Sequence, residues 1–222
     1  MTRLSLTFDN GPSPGTTERI LRALAERHLP ATFFMVGQQL VTDAGRETAL
    51  RVREAGHRIG NHTLTHGPPL GEGGDRARVE AEIGEAQLAL AELGVDERLF
   101  RPNGGGRLGP HLLSQPAVDY LVEHGYTVVT WNCAPRDWEP PSHGWVDRAH
   151  KALVEQEWTV LVLHDVQAAA VDHLPDFLDT VMHDAVEVRG DFPADCLPIR
   201  DGLIQWPLEG VVVDAEAQIR PG

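Results

Sequence analysis

Cysteine is scarce in this chain. Its 222 residues hold two, Cys133 and Cys196, too few for a disulfide framework. Both are expected to be reduced, buried thiols. Long apolar runs are also missing, and nothing approaches the roughly 20 residues of a membrane span. Met1-Thr2-Arg3 passes straight into Leu4-Ser5-Leu6-Thr7-Phe8, without the basic stretch, apolar stretch and small-residue cleavage site of a secretion signal. The expectation is a cytoplasmic protein. Positive charge is in deficit, with 19 Lys and Arg against 33 Asp and Glu and a formal net charge of −14. An acidic surface repels phosphate backbones, so nucleic acid is excluded as an expected partner. What is present is ordinary for a globular protein: 41% hydrophobic and 23% charged residues, enough apolar content to offset chain ordering.

Short apolar runs alternate with longer stretches of 3.6-residue period. Leu4, Leu6 and Phe8 form a period-2 strand ending at Asp9. Further strands are predicted at 31–36, 57–60, 99–100, 126–131, 159–163 and 186–188. Helices are predicted at about 16–28, 46–55, 75–93, 111–124, 145–156 and 173–184, with Gly94 as a C-cap of the third. Residues 189–222 read as an irregular tail with one apolar run at Val211-Val212-Val213. About seven β/α cycles without a linker predict a single α/β domain, its parallel sheet covered by helices. A closed barrel fits the count. A doubly wound open sheet is the alternative that periodicity alone leaves open.

Parallel α/β folds gather functional groups at the C-terminal ends of their strands. Here those positions hold Asp9-Asn10-Gly11-Pro12, His62 to His66, Arg101-Pro102-Asn103-Gly104-Gly105-Gly106, Arg136-Asp137-Trp138 and His164-Asp165. Singly, each has a plain structural use. Asp9 suits a helix cap, Arg136 and Asp137 a surface ion pair, and His164 a hydrogen-bonded core residue. Together they define one rim. His62 and His66 are four residues apart, a spacing that puts both imidazoles on one face of a helical turn, as metal chelation requires. Asp9 or Asn10 is the nearest candidate for a third, oxygen donor.

The ordered motifs TFDNGPSP, NHTLTH, RP, RDW and LVLH span residues 5–164, about three-quarters of the chain. In this order they resemble the NodB-type polysaccharide deacetylases of carbohydrate esterase family 4. The resemblance implies a distorted (β/α)7 barrel and metal-dependent hydrolysis of an N-acetyl group on an amino sugar. By position, Asp9 is similar to the family's general base and Arg101 to the arginine that pairs with it. His62, His66 and Asn10 fall on the metal-binding positions, the last normally Asp. Asp137 and Trp138 match the end of the DxxDW motif, and Leu161 and His164 match LxxH, whose histidine is the general acid. The implied cofactor is a divalent metal, zinc first, with cobalt, manganese or nickel as alternatives. A metal polarises the amide carbonyl and acidifies water, and a backbone N–H near Gly104 is a further candidate contact for the oxyanion.

The chain departs from the family pattern in three places. Asn10 contributes no negative charge, so the metal is expected to bind weakly and to be a stronger Lewis acid. Asn at this position also resembles the branch that includes muramic-acid deacetylases. The family's RPPY is here Arg101-Pro102-Asn103-Gly104, which removes an aromatic wall and leaves Asn103 and Gly104 as candidate substrate contacts. The first Asp of DxxDW is Ala134. Trp138 is expected to stack on a sugar face, whereas Trp131, Trp145 and Trp158 read as core. The expected partner is a carbohydrate or small N-acylated substrate. A small-molecule amidase or deformylase on the same barrel, or a carbohydrate-binding protein with a decayed site, are the competing readings.

Overall fold

The first strand, β1 (Arg3–Asp9), is buried from Leu4 onward on both faces. In the computed structural model, which describes residues 1–213, Leu4, Leu6 and Phe8 join the larger apolar cluster. Ser5, Thr7 and Asp9 alternate with them and are buried as well. The period-2 pattern thus separates an apolar face from a polar buried face that needs internal partners.

The elements follow in order as α1 (Thr16–Ala25), β2 (Thr32–Met35), α2 (Asp43–Glu54), β3 (Arg58–Asn61), α3 (Arg76–Val79), a π-helical turn (Glu80–Glu85), α4 (Ala86–Ala91), β4 (Leu99–Phe100) and α5 (Gln115–Glu123). The second half adds β5 (Thr127–Val128), α6 (Gly144–Glu155), β6 (Trp158–His164), α7 (Ala168–Val171), α8 (Leu174–His183), β7 (Glu187–Val188), β8 (Ile199–Arg200) and β9 (Leu203–Ile204). The sheet order is β6-β1-β2-β3-β4-β5-β8-β9, with β7 also on β1. From β1 to β5 each strand lies beside its sequence neighbour, and β6 returns to β1. After β5 the chain reaches β6 through a bridge between Cys133 and Leu161. That order and closure make a distorted (β/α)7 barrel rather than a doubly wound sheet.

Three expectations need correction. The predicted strand at 126–131 shrinks to two residues, because Thr130 donates its N–H to Cys196 and Cys133 to Val160. The predicted helix at 75–93 runs without a break from Arg76 to Ala91, but its middle turn is π-helical rather than α-helical. The tail is not wholly irregular: β8 and β9 form a hairpin, β8 antiparallel to β5, and Val211 is buried. The end of that tail, 214–222, lies outside the described residues.

Both cysteines are free and buried. Burial pushes the Cys133 thiol up to about 11 and, with the charge of Asp195, the Cys196 thiol up to about 12. No helix among the described residues is long and apolar enough to cross a membrane.

Register sets the level of the site. Asp9 pairs with His164 across β1 and β6. Asn61 pairs with Phe100 across β3 and β4, so His62 and Arg101 leave their strands side by side.

Candidate active site

Among the described residues Arg101 is the most buried charge, with no solvent exposure. Its Nη1 donates to Asp9 Oδ1 at 2.9 Å and to Thr7 Oγ1 at 2.6 Å. Its Nε and Nη2 donate to the carbonyls of Val129 and Thr130. The guanidinium lies over the Phe34 ring, 4.1 Å from its centroid. A buried cation is tolerable only when paired and saturated in this way. Arg101 approaches Asp9 from behind and is not itself on the pocket wall. Asp9 Oδ2 is left facing His62, 3.7 Å from its Nε2.

His62 Nδ1 lies 2.8 Å from the Arg101 carbonyl. A carbonyl only accepts, so Nδ1 carries the proton and Nε2 keeps its lone pair. Burial lowers the His62 pKa to about 4 against the pull of Asp9, which keeps the ring neutral. The His66 ring stands 5.0 Å away, centroid to centroid. His66 sits at the exposed rim, yet its ring lines the pocket. Partial desolvation of that ring lowers its pKa, with the charge of Asp9 opposing.

The two histidines do not share a helical face, contrary to the expectation from their spacing. They lie in a loop after β3, turned by the left-handed residues Thr63 (φ 69°) and His66 (φ 53°). A β-branched residue at positive φ is strained. Thr63 is held there by three hydrogen bonds. Its N–H donates to Asn61 Oδ1, its carbonyl accepts from Gly37, and its hydroxyl accepts from His66 N–H.

Asn10, also at positive φ (79°), has a buried Oδ1 without a hydrogen-bond partner among the described residues. A buried amide oxygen left unpaired is costly. It opens on the same pocket as His62 and His66. Among the described residues no three His, Cys, Asp or Glu side chains gather tightly enough to hold a metal by themselves. The unpaired Asn10 oxygen is a further donor that the pocket offers beside the two histidines. Two neutral imidazoles and an orphaned amide oxygen are a donor set that fits a divalent metal.

Across the pocket, Asp137 holds residue 164 twice. Its Oδ1 is 2.7 Å from His164 Nδ1, and its Oδ2 accepts the His164 N–H at 2.8 Å. Burial works against an imidazolium at His164. The hydrogen bond and charge of Asp137, with the charges of Asp9 and Asp165, outweigh it and raise the pKa. Ala134, at the first position of the DxxDW motif, leaves this histidine's partner intact. Like Arg101, Asp137 lies behind the wall.

The cavity, of about 190 Å³, is lined by Asp9, Asn10, His62, His66, Asn103, Gly104, Trp138 and His164 among others. Leu161 does not line it. That residue is fully buried in the core, its carbonyl accepting from Thr7, and Val162 takes the wall position instead. Asn103 lines the pocket, but its Nδ2 is committed to the Gly67 carbonyl at 2.5 Å. Sequence reasoning missed Trp131 and Gln167, which line the cavity. Trp131 was assigned to the core, and it is 6% exposed; nothing in its spacing separates wall from core.

Asp165, which the sequence places on the rim after His164, supports the turn after Asp9. Its Oδ2 accepts from Thr17 Oγ1 at 2.8 Å and lies where a Cβ on Gly11 would stand, 1.8 Å away. Glycine is required there for the turn after Asp9 to seat on the carboxyl. Burial first, then the charge of Asp9, raise the Asp165 pKa to about 7 against the Thr17 hydrogen bond.

The polysaccharide deacetylase family model matches residues 2–129. The chain belongs to this family. It is 33% identical over 162 or 163 residues to chitooligosaccharide deacetylases of Sinorhizobium fredii and Rhizobium leguminosarum bv. trifolii, covering 72% of this chain and 70% of each relative. A third such enzyme, from Rhizobium leguminosarum bv. phaseoli, is 34% identical over 62% of this chain, which spans 57% of that relative's length. Among solved structures, a family 4 carbohydrate esterase from Streptomyces lividans in complex with acetate superposes with a TM-score of 0.74 at 25% identity, covering 90% of this chain and 97% of that one.

Proposed function

We propose that this protein is a metal-assisted amidohydrolase that removes an N-acetyl group from an amino sugar, using zinc held by Asn10, His62 and His66. The observation that carries the reading is one pocket with a free carboxylate oxygen on one side and a carboxylate-backed histidine on the other. A divalent metal at that donor set supplies Lewis acidity to the acyl carbonyl and to water.

The chain's own groups divide the proton work. Asp9 Oδ2 takes a proton from the attacking water, while Arg101, bonded to Oδ1, fixes the rotamer of the carboxylate. The water oxygen bonds to the acyl carbon. The C–N bond then breaks as His164 passes a proton from Nε2 to the leaving nitrogen, giving acetate and a free amine. Asp137 on Nδ1 fixes the tautomer and stabilises the imidazolium. Trp138, edge-on to His164 with centroids 5.0 Å apart and 36% exposed, offers a face for a sugar ring.

Acetate release from N-acetylglucosamine oligomers by zinc-loaded protein tests the proposal. Chitooligosaccharides are the first choice because the curated relatives are named for them. Release is expected from wild type and lost on Asp9→Asn and on His164→Ala. Folded, zinc-loaded protein that releases no acetate from any N-acetylated amino sugar would overturn it.

A further inference from the structure

π-Helical turns are rare and tend to sit at functional sites. The one at Glu80–Glu85 faces the loop that carries His62 and His66. The Ile83 carbonyl within it accepts from Asn61 Nδ2 at 2.9 Å. The Glu82 carboxylate takes both donors of Thr65: the backbone N–H at 3.0 Å on Oε2 and the hydroxyl at 2.6 Å on Oε1. Thr65 Oγ1 in turn accepts from Gly67 N–H at 3.2 Å. Glu82 therefore clamps the residues on both sides of His66.

The two histidines are supported unequally. His62 is buried, and its ring is fixed by a hydrogen bond to the Arg101 carbonyl. Among the described residues, the His66 ring makes no hydrogen bond to another residue. Its placement depends on the turn beneath it, which is held at positive φ. Carboxylates that orient a ligand usually grip the imidazole itself. Here the carboxylate grips the backbone and hydroxyl of the preceding residue.

We infer that Glu82 is a positioning residue for His66: the π-helical turn delivers a carboxylate that locks the Thr65–Gly67 turn so that the His66 imidazole is preset for a metal. The inference rests on the proposal that His66 is a metal ligand. Groups that orient metal ligands typically change affinity by about 10- to 100-fold.

The test is the zinc dissociation constant, measured by chelator competition on metal-free protein, alongside the melting temperature of the metal-free form. Glu82→Ala is expected to weaken zinc about tenfold with little change in melting. Glu82→Gln keeps one acceptor and is expected to recover part of the loss. A merely structural role would lower melting and leave zinc affinity alone. Should Glu82→Ala not fold, Thr65→Ala opens the same clamp from the other side and carries the same expectation. Equal zinc affinity in wild type and the folded variants would overturn the inference while leaving the metal reading intact. Wild type that takes up no zinc would instead overturn the metal reading, and the inference with it.

Discussion

Asp137 places both carboxylate oxygens on residue 164, one 2.7 Å from His164 Nδ1 and the other 2.8 Å from its backbone nitrogen. Ring and backbone are fixed together, so the orientation of Nε2 toward the pocket follows from one side chain. In the proposed role of proton donor His164 must be charged, and activity is expected to fall as pH rises through its pKa. That pKa is raised: burial depresses it, but Asp137, Asp9 and Asp165 more than compensate. Asp137→Asn is expected to shift the alkaline limb of the kcat profile to lower pH and to reduce kcat near neutrality about 100-fold. The linked stability has the same sign. It is fully present below the unfolded value of 6.5 and is lost as pH rises through the folded one. A pH series of denaturation midpoints should flatten over this window in the variant. An unmoved kcat limb would mean that another group is the acid.

Arg101 and Asp9 form a buried ion pair. Removing one partner strands the other charge in the barrel, which typically costs about 3–5 kcal/mol. Arg101→Met is expected to lose that much in denaturant unfolding as well as activity. Asp9→Asn also loses the pair, but Arg101 keeps Thr7 and two carbonyls, so the loss should be smaller. Similar stability of wild type and Arg101→Met would show that the pair serves only chemistry.

Much of this site was legible in the sequence because parallel strands end in polar residues at one level. Asp9, His62, Arg101 and His164 each directly end or follow a strand, and register alone brings them together. What the sequence hid depends on tertiary partners. The spacing of His62 and His66 suggested a helix, but Thr63 at positive φ is supported by Asn61, Gly37 and His66 itself, contacts that no local pattern encodes. Trp131 and Leu161 exchanged roles with respect to the wall, since apolar runs do not say which face meets a cavity. The strand expected at 126–131 is only two residues long because the carbonyl of Cys196, 66 residues after Thr130, takes the Thr130 hydrogen bonds.

Asn10 offers a neutral oxygen where a charged one would bind a cation more tightly. Asn10→Asp is expected to strengthen zinc binding on the order of tenfold, because affinity follows ligand charge. It also sets a second carboxylate beside Asp9, and like charges at one site oppose ionisation. The metal-free variant should therefore melt below wild type, and zinc should raise its melting temperature by more. Unchanged zinc affinity would remove Asn10 from the donor set.

The glycines after Asn103 are distinguishable by what surrounds them. Gly105 (φ 57°) has nothing within 4 Å of an added Cβ, whereas at Gly106 (φ 72°) that atom would stand 2.7 Å from Trp138 Cη2. Alanine at either position meets backbone strain of roughly 1–2 kcal/mol. Only Gly106→Ala also pushes Trp138, a partly exposed ring packed edge-on to His164. Both variants should therefore lose similar stability, while Gly106→Ala alone raises KM several-fold, with a smaller effect on kcat. Matching KM values would mean that this loop needs glycine for its turn and not for the aromatic wall. A KM rise confined to Gly106→Ala would show that the wall absent from the RPNG segment is supplied by Trp138, packed against a glycine that leaves it room.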